Sequence, residues 1–305
     1  ELAHAPDSRL EFHHLTTTDF VTFVDHGLAI PAGSGDAPDR SLGTGSIVRV
    51  GGRFHFFFSG MNPTSATPQV QLVATSEDLF TWHKEEGFTL GPPDDLEHAD
   101  FRDPFVLPSP EGQGYWMLLA GRAPEGPWHR RGLTQLFSSD DLRDWRSEGA
   151  LYAPETYFTH ECPDLFRIGD WWYLVFSEFS RGMQTRYRKA RHPRGPYLVP
   201  EVDTFDTRAC YAAKTVSDGE RRVLIGWVPS RDDTGQWLWG GDLVAFELDQ
   251  AADGSLVPRP LSGLAAAAGA ATSPRLEPIR GRWWVSDDAA GSAPADGYRA
   301  LELGR

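Results

Sequence analysis

The chain has 305 residues, with 29 basic and 43 acidic side chains, a formal charge of −14 and a pI near 5.1. That length allows one large domain or two small ones and is ample to bury a core. The acidic balance, with no Lys/Arg block, argues against a nucleic-acid partner, and no apolar run approaches the roughly 18–20 residues that a membrane helix needs. Its 31 Gly, 23 Pro and 12% aromatic residues fit many short strands joined by tight turns, in a composition too apolar for disorder.

Two patterns recur along the chain. The first is a Ser or Thr, any residue, Asp, an apolar residue, two further residues and an aromatic. It occurs at Thr17–Phe23, Ser76–Trp82 and Ser139–Trp145, at intervals of 59 and 63 residues. Each copy reads as a strand end and a turn in which the Asp side chain bonds nearby backbone N–H groups, followed by an aromatic that packs the next strand. The second is a Gly-containing turn followed by an aromatic and β-branched run. It begins at Gly52, Gly114, Gly169, Gly219 and Gly281, at intervals of 62, 55, 50 and 62 residues. Runs this short and apolar, bounded by Gly and Asp, are buried strands. Only 261–271, Ala-rich after Leu261-Ser262-Gly263-Leu264, reads as a helix or a flexible linker. Five repeated all-β units predict a five-bladed β-propeller; a two-sheet sandwich is the alternative.

Between the predicted strands stand two acidic motifs, Phe101-Arg102-Asp103-Pro104 and His160-Glu161-Cys162-Pro163-Asp164. The prolines favour extended backbone there. The innermost strand of each propeller blade lines the central channel, so motifs in consecutive blades aim their carboxylates at one cavity. Paired carboxylates are the apparatus of glycoside hydrolysis, and close acids raise one another's proton affinity. Cys162 and Cys210 lie 48 residues apart without metal-ligand spacing and read as buried thiols. His13, His14 and His129 have no partners at metal-site spacing. No phosphate loop or nucleophile elbow is present, and nothing calls for a cofactor. His160 adjoins Glu161, either to tune it or to pack the strand.

These motifs resemble glycoside hydrolase family 32, the invertase, inulinase and levanase family of clan J. The resemblance runs from about Phe12 to Pro260. It includes Arg-Asp-Pro, Glu-Cys-Pro-Asp, Gly45-Ser46, Tyr211-Ala212, Lys214-Thr215, Gly226-Trp227 and Trp239-Gly240. It implies that Asp103 stabilises the transition state through sugar hydroxyls, that Glu161 is the acid/base and that Arg102 binds the sugar. Ser46, Tyr211, Asp164 and Trp239 complete the implied substrate-binding set; for Trp237 a stacking role competes with core packing.

The family's third carboxylate, the nucleophile, lies in an Asn-Asp-Pro motif that is found nowhere in these residues. Trp284-Val285-Ser286-Asp287-Asp288 loosely resembles it, which makes Asp287 the candidate nucleophile and Asp288 the second. On this reading 1–305 is a single propeller domain with 261–278 as a linker. Residues 279–305 supply the inner strands of the first blade and 1–31 its outer strands. Alternatively, 275–305 begins the family's C-terminal β-sandwich. Gly43, Ala209 and Cys210 depart from family residues beside the sugar pocket, which puts sucrose specificity in doubt. The expected activity is retaining hydrolysis of β-fructofuranosides, with a small sugar or oligosaccharide as substrate and no nucleic-acid or membrane partner. The alternatives are a non-hydrolytic sugar-binding propeller and a hydrolase for another furanoside. Glu1-Leu2-Ala3-His4 shows no signal-peptide pattern, leaving a soluble protein, cytoplasmic or secreted and processed.

Overall fold

The computed structural model describes residues 9–205, 210–231, 237–263, 275–280, 283–285, 290–292 and 300–304. It divides into two compact units, 1–261 and 262–305. The larger unit opens with a two-stranded antiparallel sheet, β1 (Phe12–Thr16) and β2 (Val24–Ile30). Four further sheets follow in strict chain order. The first comprises β3 (Ser41–Val50), β4 (Arg53–Met61), β5 (Gln69–Ser76) and β6 (His83–Lys84). The next comprises β7 (Arg102–Pro108), β8 (Tyr115–Arg122), β9 (Gly132–Ser139) and β10 (Arg146–Tyr152). Then come the three strands β11 (Glu161–Ile168), β12 (Trp171–Glu178) and β13 (Gln184–Ala190), whose outer edge is bridged by Leu198 and Thr204. The last comprises β14 (Tyr211–Ser217), β15 (Arg222–Arg231), β16 (Trp237–Gln250) and β17 (Leu256–Pro260).

The first strands of consecutive sheets pack on one another, β3 on β7, β7 on β11 and β11 on β14. Each apolar core lies between two successive sheets. Phe57 and Val73 meet Met117 and Phe137 in one; Trp116 and Leu136 meet Leu165 and Phe176 in the next; Tyr173 and Tyr187 meet Leu224 and Leu248 in the third. The β1–β2 pair contributes Ile30 to a core with Leu42 and Phe58. Each large buried side chain contributes about 1.5–3 kcal/mol by leaving water. Antiparallel sheets stacked face to face in chain order, with their first strands together, are the blades of a β-propeller. Four of the described sheets have blade form, and the predicted fifth is not among them; β1 and β2 form a separate two-stranded sheet. The smaller unit holds two strand pairs, Arg275–Arg280 with Ala300–Gly304 and Trp283–Val285 with Ala290–Ser292. The predicted helix or linker falls largely outside the described residues. No helix among the described residues is long and apolar enough to cross a membrane.

The Ser/Thr-x-Asp pattern forms a turn as predicted. Asp78 Oδ1 accepts the N–H groups of Phe80 and Thr81 at 2.8 and 2.7 Å. Asp141 Oδ1 does the same for Arg143 and Asp144 at 2.8 and 2.9 Å, and Asp19 Oδ1 for Val21 and Thr22 at 2.9 and 2.8 Å. The apolar residue of each turn is left-handed, at φ 58, 68 and 68° for Phe20, Leu79 and Leu142. The aromatic does more than pack the next strand: the indoles of Trp82 and Trp145 donate back to the carbonyls of Leu79 and Leu142. In two complete blades this turn joins the third strand to the fourth, β5 to β6 and β9 to β10. The same turn joins β1 to β2.

Candidate active site

Near its start, the first strand of every complete blade carries one extra residue relative to its partner. Pairing steps from Leu42↔Gly60 to Gly45↔Phe58, from Arg102↔Ala120 to Phe105↔Leu118, from Glu161↔Ser177 to Asp164↔Val175, and from Tyr211↔Trp227 to Lys214↔Ile225. Such a bulge re-aims side chains at the end of a strand. At three of them the residue within the bulge is left-handed, with φ 63° at Asp103, 50° at Cys162 and 49° at Ala212. The extended backbone expected beside Pro104 and Pro163 is therefore not what forms at Asp103 and Cys162. The bulge takes up the extra residue there, at a cost on the order of 1–3 kcal/mol for each strained position.

These bulges bring Arg102, Asp103, Glu161 and Tyr211 together. Arg102 Nη2 donates to Glu161 Oε1 at 2.9 Å, and the Tyr211 hydroxyl donates to Glu161 Oε2. Arg102 Nε lies 3.8 Å from Asp103 Oδ2, and Arg102 Nη1 donates to Asp100 Oδ1. The Cys162 N–H donates to Asp103 Oδ2 at 2.9 Å, so the second motif's backbone holds the first motif's carboxylate. Asp103 and Glu161 are only 4% and 5% exposed. Burial pushes the Glu161 carboxyl above its ordinary range; Arg102 opposes this and the Asp103 charge adds to it. Burial together with the Glu161 charge holds the Tyr211 phenol far above its ordinary range, which keeps it a proton donor. The arrangement is suited to moving a proton: a buried carboxyl gripped at both oxygens, with a second carboxylate beside it.

Sequence reasoning missed the residues that brace this cluster. Ser59 Oγ accepts the Asp103 N–H at 2.8 Å and lies 3.1 Å from Gln71 Oε1. Gln71 Nε2 donates to the Phe101 carbonyl at 2.8 Å, and Gln69 Oε1 accepts the Phe101 N–H at 2.8 Å. The available signal was a polar side chain inside an apolar strand, as in Phe56-Phe57-Phe58-Ser59 and Val70-Gln71-Leu72, since a buried polar group is the informative exception.

Other expected positions have different employment. Ser46 Oγ accepts the Val106 N–H at 2.8 Å, tying β3 to β7. Asp164 is 0% exposed, and its Oδ2 takes the Thr215 N–H and hydroxyl at 2.6 and 2.7 Å, tying β11 to β14. Both therefore join neighbouring blades. Trp237 and Trp239 lie at the start of β16, while Asp287, Asp288 and Ala209 fall outside the described residues. Cys162 and Cys210 are both buried. His160 stacks on Phe176 at 4.2 Å and on Tyr152 at 5.6 Å, with Nδ1 3.2 Å from Thr134 Oγ1, so it packs the strand start. Among the described residues no group of three or more His, Cys, Asp or Glu is placed to hold a metal ion.

Among known proteins, raffinose invertase of Escherichia coli is 32% identical over 294 residues, covering 85% of this chain and 57% of that protein. Sucrose-6-phosphate hydrolase of Escherichia coli is 28% identical over 288 residues, covering 83% of this chain and 56% of that protein. The chain thus spans little more than half the length of these relatives. Among solved structures, the GH32 β-fructofuranosidase of Bombyx mori superposes with a TM-score of 0.68 at 19% identity, over 89% of this chain and 60% of that one. Fructan 1-exohydrolase IIa of Cichorium intybus gives 0.68 at 20% identity, over 90% and 56%; both show the shared fold. Residues 3–241 match the profile described as the glycosyl hydrolases family 32 N-terminal domain, and the chain therefore belongs to glycosyl hydrolase family 32.

Proposed function

We propose that this chain carries the catalytic face of a β-fructofuranosidase acting by double displacement with retention. The observation that carries the reading is the enclosed Glu161 carboxyl, held by Arg102 and Tyr211 beside Asp103. Its family, and relatives named for the hydrolysis of raffinose and sucrose 6-phosphate, support a fructoside substrate. Protonated Glu161 gives its proton to the leaving glycosidic oxygen as that bond breaks, while a carboxylate attacks the anomeric carbon. Glu161, now ionised, takes a proton from water, and the resulting hydroxide displaces the enzyme carboxylate and frees the sugar. Asp103 and Arg102 bind hydroxyls whose bonds tighten in the oxocarbenium-like state. Asp287 is the assigned nucleophile, with Asp288 second. Retention calls for a carboxyl separation from Glu161 of about 5–5.5 Å, and inversion for about 6.5–9.5 Å.

Reducing-sugar release from sucrose, inulin, levan and aryl furanosides tests the reading, with Glu161→Gln as control. Release by the wild type and its loss by about 100-fold or more in the variant is expected. Gly43 and Cys210, which depart from family residues beside the sugar pocket, favour a second reading, a propeller that binds sugar without cleaving it; binding of these sugars with no release would establish that instead.

The reading also includes a fifth blade, of which β1 and β2 are the outer half. It rests on the shared turn and on Leu15, Val24 and Leu28, each at least half exposed on that hairpin. Residues 279–305 are assigned its inner strands. A chain ending at Leu261 should then unfold at a lower temperature than the 305-residue chain, and equal melting would remove those residues from the blade.

A further inference from the structure

Arg102 is the only guanidinium bonded to Glu161 among the described residues, and what fixes it lies one layer further from the site. Its Nη1 donates to Asp100 Oδ1 and its Nη2 is shared between Glu161 Oε1 at 2.9 Å and Thr159 Oγ1 at 3.4 Å. Asp100 stands two residues before Arg102, with a side chain 9% exposed. Its other oxygen lies 3.4 Å from Arg122 Nε. Arg122 is fully buried and fixed at every nitrogen. Nε reaches Glu97 Oε2 at 3.1 Å, Nη1 donates to the Phe158 carbonyl and Nη2 to the Trp128 carbonyl at 3.2 Å. Its guanidinium lies over the rings of Phe158 at 3.6 Å and Trp128 at 4.5 Å. Arg131 Nη2 closes the series on Glu97 Oε2 at 2.9 Å. The result is a line of alternating charge, Glu161, Arg102, Asp100, Arg122, Glu97, Arg131, running from the buried carboxyl out to partly exposed Glu97 and Arg131.

A guanidinium between three carboxylates has a choice of partners. Arg102 faces Glu161, Asp103 and Asp100, and is hydrogen-bonded to Glu161 and Asp100 while Asp103 stays 3.8 Å from Nε. We infer that Asp100, anchored by Arg122, is a positioning residue that keeps Arg102 turned toward Glu161 and draws off part of the guanidinium charge that the Glu161 carboxyl would otherwise meet. The inference deepens the acid/base reading of Glu161 and rests on it. The charged and titratable groups facing Glu161 are Arg102 and Asp103 from β7, Tyr211 from β14 and Cys162 beside it in β11; Lys214 faces Cys162. Of these, only Arg102 is bonded to Asp100, so the effect of Asp100 passes through that one side chain. Removing the Asp100 charge leaves Arg102 less neutralised, favours the Glu161 carboxylate and lowers its proton affinity.

The test titrates Glu161 directly and needs no turnover, so it stands or falls separately from the hydrolase reading. Difference infrared spectroscopy follows the protonated carboxyl C=O band that disappears in Glu161→Gln, in wild type, Asp100→Asn and Asp100→Glu. The midpoint should fall by about 0.5–1 pH unit in Asp100→Asn and stay near the wild-type value in Asp100→Glu, which keeps the charge. Asp100→Ser removes the same charge with a smaller side chain if the Asn variant does not fold. A merely structural role would lower stability and leave the midpoint in place. An unchanged midpoint on charge removal, or an equal shift in Asp100→Glu, overturns the inference.

Discussion

Glu161 is held by two donors of different kinds, a permanently charged guanidinium and a neutral phenol, and they separate in experiment. Tyr211→Phe removes one hydrogen bond to the carboxylate without changing any formal charge. The ionised form loses a partner while burial continues to penalise it, so the proton affinity of Glu161 rises further. The alkaline limb of the kcat/KM profile on a turned-over fructoside should therefore move to higher pH. At the optimum the rate should fall about ten-fold, because the carboxylate formed after proton transfer has lost a bond worth about 1.5 kcal/mol. Asp100→Asn moves the same limb the other way. A pair of substitutions with opposite signs on one titration distinguishes tuning of Glu161 from general damage. Tyr211→Phe with an unmoved limb would take the phenol out of the acid's environment.

The elements differ in how far the residues announce them. The Ser/Thr-x-Asp turns were legible because everything that stabilises them is local. Asp78 and its counterparts bond N–H groups two and three residues on, and Ser76 and Ser139 bond those of Leu79 and Leu142 at 2.9 Å. The second strands were legible for a related reason. Gly52, Gly114, Gly169 and Gly219 each turn the chain at positive φ just before an apolar run, as a tight turn requires. The bulges were not legible. Whether Asp103 is left-handed depends on its register with β8 and on the Ser59 hydroxyl reaching across from β4, and neither is written near Asp103. The clasps at Ser46 and Asp164 were hidden for the same reason. Polar residues beside a motif suggest a ligand, whereas their partners, Val106 and Thr215, are backbone groups about 50–60 positions away. Family resemblance located the chemistry, and the structure supplied the braces.

At the scale of the whole molecule, blades hold together through faces and clasps, and the acid motif is sewn into both. The repeat period was enough to predict a propeller, because each blade is a local unit; what a single chain position does for two blades at once was not visible in it. His160 shows the consequence. It is 0% exposed, packed between Phe176 and Tyr152, and bonded to Thr134 of the preceding blade. Burial, with Arg188 adding to it, lowers its proton affinity from the ordinary 6.5 to about 3. The folded state thus keeps the imidazole neutral while the unfolded chain takes up a proton below 6.5. The stability that His160 confers is complete above that value and drains away as pH falls toward 3. Glu161 acts in the opposite sense: its raised carboxyl binds a proton more readily when folded, so its contribution is complete below the ordinary 4.5 and is lost as pH rises through its folded value. His160→Gln should cost stability at pH 7, where the stack and the Thr134 bond are lost, and be relieved of the protonation penalty in acid. That penalty reaches about 2–3 kcal/mol near pH 4.5, two units below the unfolded value. Urea unfolding at stepped pH should show the gap between wild type and variant closing from pH 7 to 4.5, and a gap independent of pH would remove His160 as the acid-sensitive joint. Because His160 immediately precedes Glu161, the proposed acid/base, activity should decline in acid with the same midpoint as the structure.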